Sequence, residues 1–332
     1  MAENNDSLRY CFSCSIAPQM YPIYGAYRTV MISSFIIDAF LFVAIVPINF
    51  LTFMVIVKNK DLQTPPNLCL LSTSICDFAI GLISIPLFAW NFIMALNRRH
   101  SCDFYIAMYA VIHYLFIVSN FMVMMIVLDR FIAIIYPFKY YNFDKIGLYL
   151  FVILFIWCST FCFVLFAMLA PTLFVLNIAE TGAYFCLFIF ITISQIKIRK
   201  KLQIAKREIR RTTIATTTTT AQSITNRNNN NNSSNKSTEK HHKDFLFFCI
   251  VFTNIVCYIP FTVCAMNWAF VGDADWVQTL NTWAFTTATS KSLLDPLMYF
   301  YSMKKMRKGL KKLCQRKSRK VDKKTTTTSQ NR

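Results

Sequence analysis

Apolar residues recur along this chain in runs longer than a buried strand or an amphipathic surface helix requires. Between Ser34 and Ile56 the one ionisable side chain is Asp38, and comparable runs follow down to residue 301. A helix needs about 20 mostly apolar residues to cross a bilayer. Windows of that size mark seven segments: 30–57, 67–93, 103–129, 146–170, 173–196, 245–270 and 277–301. In hydrocarbon the backbone polar groups must be satisfied internally, and runs of this length do so as helices. The expected fold class is an all-α membrane protein, a seven-transmembrane helix bundle.

The polar stretches between the runs set the orientation. Basic residues gather at Lys58–Lys60, Arg130–Lys145, Lys197–Lys243 and Lys304–Lys324. Loops rich in Lys and Arg stay in the cytoplasm, so the N-terminus is expected outside the plasma membrane. Residues 1–29 then form an extracellular N-terminus, 30–301 the bundle, and 302–332 a helix and basic cytoplasmic tail. Within the bundle, 198–243 carries the runs Thr216–Thr220 and Asn228–Asn232. Such a low-complexity stretch is expected to be a disordered cytoplasmic loop. Segments four and five are separated by little more than Pro171-Thr172, which leaves almost no second outer loop. Met303, Met306, Leu310 and Leu313 share one helical face, predicting a short amphipathic eighth helix along the inner membrane surface.

Composition narrows the class further. Of the 332 residues, 55% are hydrophobic and 15% charged, against about a quarter charged in an ordinary soluble domain. The net charge of +19 lies in clusters beside apolar runs, a pattern that attracts anionic membrane lipid and argues against nucleic acid. Met1–Tyr10 is polar and the first apolar run starts near Val30, so the first helix is expected to insert itself without a cleaved leader. Most of the 12 cysteines lie inside apolar runs and read as small buried side chains. The chain shows no metal-hydrolase, nucleophile or phosphate-binding motif, and no enzyme activity is expected.

Particular residues stand inside these segments. The third ends in Asp129-Arg130-Phe131, followed by Pro137. The sixth holds Cys257-Tyr258-Ile259-Pro260, and the seventh Asp295-Pro296-Leu297-Met298-Tyr299. Asn49, Asp77 and Trp157 stand in the first, second and fourth. A proline inside a membrane helix frees carbonyls and kinks it. In type, order and helix these residues resemble the rhodopsin-like (class A) G-protein-coupled receptors, over nearly all of residues 30–314. That resemblance implies an extracellular small-molecule or peptide ligand and a heterotrimeric G protein as partners. It also implies an activation switch of Asp129, Arg130, Tyr258, Pro260, Asp295, Pro296 and Tyr299. Arg130 would face the G protein once the sixth helix swings outward, and Tyr299 would turn inward to support it.

A weaker likeness is to the melanocortin-receptor neighbourhood. It rests on Lys58-Asn59-Lys60-Asp61-Leu62-Gln63-Thr64-Pro65, on Asp295 where most relatives have Asn, on the short outer loop, and on a fifth helix without proline. Leu87, Tyr105 and Tyr109 stand where that group keeps its calcium-binding acids, so a melanocortin peptide is not the expected ligand. Ile112 replaces the aspartate of amine receptors, which disfavours a monoamine. Asn254 and Tyr258 replace the Phe and Trp of the sixth-helix switch. Lys240 replaces the glutamate that pairs with the arginine, with Glu239 beside it. Cys102 sits about three residues early for the usual bridge; Cys11 or Cys14 is its alternative mate, and a free thiol the other reading.

By the same resemblance, Asn49, Asp77, Ser119, Lys291, Ser292 and Asp295 surround the mid-membrane sodium pocket. Lys291 and Asp295 are i and i+4 on one helix and share a face. A charge in the membrane interior costs several kcal/mol unless paired. Two readings follow: a structural ion pair, or a Lys291 ammonium that replaces sodium by bridging Asp77 and Asp295, with one carboxylate keeping a proton. No other cofactor is expected. Retinal is disfavoured, because an opsin's lysine would fall at Thr289, about 200° around the helix from Lys291.

The remaining candidates are local. Tyr105, Tyr109, His113, Tyr258, Asn267 and Trp268 form an outer stripe on helices three and six, either packing or a ligand pocket. Asn5 opens a glycosylation sequon, Cys314 is a palmitoylation candidate, and Thr325–Ser329 a phosphorylation candidate. Two rival functions are an ion or proton transporter built on Asp77, Lys291 and Asp295, and a signalling-deficient seven-helix protein. Transporters often show internal repeats, and none is seen here.

Overall fold

A computed structural model describes residues 26–97, 102–141, 146–169, 173–219, 249–250, 252–264, 266–267, 275–313 and 315. The described regular elements are all helical. In chain order they are α1 (Ala26–Lys58), α2 (Pro65–Ala79), α3 (Ile85–Leu96), α4 (Cys102–Ile135), α5 (Pro137–Tyr141), α6 (Ile146–Leu169), α7 (Leu173–Thr219), α8 (Phe252–Cys264), α9 (Asp275–Ser302) and α10 (304–313).

Among the described residues, four rods are long and apolar enough to cross a bilayer: Arg28–Lys58, Pro65–Met94, Asp103–Ile135 and Ile146–Met168. Their outer faces are those of a protein solvated by lipid. Phe40 is 73% exposed, Val43 69% and Phe166 71%, whereas soluble proteins rarely show large contiguous apolar patches. α9 is more polar, and the bundle takes that polarity inside: Thr282, Thr286, Thr289, Lys291, Ser292 and Asp295 are all buried. α9 packs on α1, α1 on α2, and α4 on α2, α6 and α7. Trp157 of α6 donates its indole N–H to Ser72 Oγ of α2 at 3.0 Å, and the Tyr114 ring of α4 meets the same indole edge-on.

Proline chemistry explains the local breaks. Pro65 opens α2 at its first turn, where the missing N–H costs nothing. α2 and α3 form one rod interrupted by a π-turn, Ile80–Ser84, in which Ile85 N–H reaches Ile80 O. Pro86 follows at once; it has no N–H for the Leu82 carbonyl, and the hydrogen-bond ladder widens before it. Gly81 sits in this turn because α1 comes close. A Cβ there would lie 2.8 Å from Ile45 Cγ2 and 3.2 Å from Val46 Cγ2. Gly309 does the same for α10, where a Cβ would meet Val55 Cγ1 and Asn59 Nδ2 at 2.9 Å.

Two expectations are altered. Residues 198–219, expected as part of a disordered loop at 198–243, instead continue α7 to Thr219. The segment Lys197–Arg211 is rich in Lys, Arg, Gln, Ala and Glu, good helix formers with no glycine or proline among them. Residues 220–248 lie outside the described part. The α10 face expected against lipid also docks on protein: Met306 is buried, and Met303, Leu310 and Leu313 pack against the core.

Candidate functional site

The middle of the bundle holds a closed polar cluster on α1, α2, α4 and α9. Pro296 has no N–H, so the carbonyl four residues earlier, Ser292 O, loses its helical donor. Asn49 of α1 supplies the replacement, with Nδ2 at 2.8 Å from that carbonyl. Ser292 in turn donates its hydroxyl to Asp77 Oδ1 at 2.8 Å. The preceding residue, Lys291, places Nζ 3.0 Å from Asp295 Oδ2 and donates to Ser119 Oγ of α4 at 2.9 Å. All six side chains are at most 1% exposed.

The structure thus brings together every residue expected at the ion site, and refines how they join. Lys291 makes its direct ion pair with Asp295. No ion pair links it to Asp77, which enters the cluster through Ser292. Asp77 Oδ2, Asp295 Oδ1 and Asn49 Oδ1 have no protein partner among the described residues. Tyr258 of α8 lies above the ammonium, its ring centroid 6.0 Å from Nζ. Tyr299, one turn below Asp295, is fully buried with its hydroxyl unpartnered among the described residues.

Near the C-terminal end of α4, Asp129 is buried and three groups converge on it. Tyr140 donates to Oδ1 at 2.9 Å, Tyr149 donates to the same oxygen, and Arg130 Nε stands 3.5 Å from Oδ2. Burial and the adjacent Asp129 carboxylate push the Tyr140 phenol up to about 12, so it remains a donor at neutral pH. The Arg130 side chain is 37% exposed. It is held from one side and open on the other, the arrangement of a cation that can change partners. Lys201 of α7 closes the same end by donating to Ile135 O, the last carbonyl of α4, at 2.7 Å.

Towards the N-terminal half of α4 and α1, two cavities are lined by described residues. One, about 70 Å³, is lined by Tyr105, Tyr109 and His113 of α4 together with Asn91, Asn281 and Phe285. The expected ligand stripe is therefore only partly a pocket. Tyr258 sits deeper, packed on Phe116 and Phe261, and Asn267 donates back to Val263 O of its own helix. The second cavity, about 310 Å³, lies between α1 and α3 around Asp38. Sequence reasoning noted Asp38 as the lone charge in its run but gave it no site, since its partner Thr286 is 248 residues away.

Other expectations fall outside the described residues: Asn5, Cys11, Cys14, Glu239, Lys240, Trp268 and Cys314, together with the Cys102 side chain. No curated protein matches the chain. The family model for the seven-transmembrane receptors (rhodopsin family) matches residues 48–299. That span begins just before Asn49, ends on Tyr299, and encloses the mid-bundle cluster and the Asp129–Arg130 pair. The chain belongs to the rhodopsin-like family of seven-transmembrane receptors.

Proposed function

We propose that this chain is a plasma-membrane receptor that takes an extracellular small molecule or peptide and promotes nucleotide exchange on a heterotrimeric G protein. Seven crossings with the N-terminus outside, and α10 as the amphipathic eighth helix, complete the reading. The carrying observation is Arg130, half-exposed at the inner mouth and tethered to Asp129 by one contact 3.5 Å long. Releasing that contact frees a guanidinium for a partner in the cytoplasm, and Tyr299 supplies on the same side a hydroxyl that has no partner among the described residues.

The central cluster acts as a cation-neutralised hub between the two mouths. Family membership raises sodium as its ion, and the donor set does not fit it. Ser119 Oγ and Asp295 Oδ2, two of the oxygens sodium would need, already face the Lys291 ammonium at 2.9 and 3.0 Å. A tethered ammonium in that place supplies the charge that desolvated carboxylates require. Lys291 therefore stands in for the ion.

The test is nucleotide exchange on a panel of purified heterotrimers, with the full-length receptor in nanodiscs, with and without a peptide and metabolite library. Faster exchange that disappears in Arg130→Ala at unchanged surface expression is the expected result. Ion flux through reconstituted vesicles without exchange on any heterotrimer would overturn the receptor reading in favour of a transporter.

A further inference from the structure

The cavity around Asp38 has no role in the switch described above, and its chemistry is unusual. Asp38 is 3% exposed, yet no cation approaches it among the described residues. Its oxygen Oδ2 faces Thr286 Oγ1 at 3.2 Å and Ser34 Oγ at 3.3 Å. Those two hydroxyls also lie 2.7 Å from each other, and Thr286 is within 3.3 Å of Thr282 O. Each hydroxyl has a single hydrogen, so Oδ2 receives at most two hydrogen bonds and one when the hydroxyls bond to each other. Oδ1 is buried and receives none among the described residues.

The walls around this carboxylate are apolar and aromatic. Phe35 and Phe42 of α1 and Phe88, Phe92 and Ala89 of α3 line about 310 Å³, within the size range of small-ligand sites, with the Phe35 and Phe92 rings in contact at 5.6 Å. Depth matters as well. From Lys58 at the cytoplasmic end of α1, the helix rises about 30 Å to Asp38 at roughly 1.5 Å per residue. That distance equals the thickness of the hydrocarbon core, which puts the carboxylate at the outer interface. An amphiphilic cation partitions to the same level, charge at the interface and apolar body below. Met31 and Phe88 line both this cavity and the smaller one beside Tyr105 and Tyr109, and Phe88 stacks on Phe285 at 4.0 Å.

We propose that the α1–α3 cavity is a binding site for a lipophilic ammonium, whose charged nitrogen pairs with Asp38 while its apolar body lies among Phe35, Phe42, Phe88 and Phe92. The ammonium supplies Oδ1 with the donor it lacks among the described residues, and the rings supply cation–π and apolar contact. This site stands apart from the receptor reading, because it needs neither Arg130 nor the Lys291 cluster.

The experiment is ¹⁹F NMR titration of 3-(4-fluorophenyl)propylamine into full-length receptor in phosphatidylcholine nanodiscs, with the matching alcohol and carboxylic acid as controls. The amine is expected to bind saturably, at least tenfold tighter than either control, and at least tenfold tighter to wild type than to Asp38→Asn. Ala89→Phe, which fills the cavity and leaves the carboxylate, is expected to weaken it as strongly. Equal binding of amine and alcohol to wild type overturns the proposal without any variant, since partition into lipid then accounts for it. Equal binding to wild type and Asp38→Asn, or no saturable binding, overturns it too.

Discussion

Two buried aspartates, Asp38 on α1 and Asp295 on α9, are answered in opposite ways. Asp295 is answered by a cation on its own helix, 3.0 Å away. Asp38 is answered only by two hydroxyls, and one of its oxygens has no partner among the described residues. Taking two ions out of water is tolerable when each neutralises the other, and removing one of a buried pair costs more than removing both. The middle cluster is thereby closed and committed. The outer one has unsatisfied capacity beside a cavity, and that capacity is what a ligand can use.

The sharpest way to break this contrast is Lys291→Met. It leaves Asp295 desolvated without its counter-charge and should cost about 3–5 kcal/mol, read as lost surface expression and a lower melting temperature in nanodiscs. Adding Asp295→Asn should restore most of the loss, because the demand for a cation goes with the carboxylate. If the double variant is no better than the single one, the pair is not the source of the stability.

A smaller effect is expected where backbone contact frames both clusters. Gly81→Val places a side chain where even a Cβ would lie 2.8 Å from Ile45. Overpacking of this kind costs about 1–3 kcal/mol, and the melting temperature should fall without loss of the fold. The smallest change belongs to the outer site. Asp38→Asn keeps shape and lets Ser34 and Thr286 donate to an amide oxygen, so stability should move by less than about 1 kcal/mol. A drop at Asp38 equal to that at Lys291 would erase the difference between the two clusters.

Much of this arrangement was legible in the residues, for reasons that also mark the limit. Apolar runs placed 30–57 and 103–129 inside α1 and α4, because length and hydropathy are local properties. The Lys291–Asp295 pair was readable for the same reason, being one helical turn apart. Ser119 came to the site only through family resemblance, since 172 residues separate it from Lys291. The π-turn at Ile80–Ser84 was not foreseen, although Gly81 and Pro86 mark it. The runs Thr216–Thr220 and Asn228–Asn232 suggested disorder over 198–243, yet most residues from Lys197 to Arg211 are good helix formers, with no glycine or proline to stop α7. Asp38 was visible as an isolated charge, and its meaning lay in a threonine on the last long helix, which no local pattern could show.

The claim on which the account rests is that Lys291 is the resident cation of the bundle. Its most direct test is thermal melting of wild-type receptor and Lys291→Asn in nanodiscs, across sodium concentrations balanced with choline at constant ionic strength. Wild type should melt at one temperature throughout, while Lys291→Asn should gain stability as sodium replaces choline. A wild-type receptor selectively stabilised by sodium would show that the ion still occupies the site, and would contradict it.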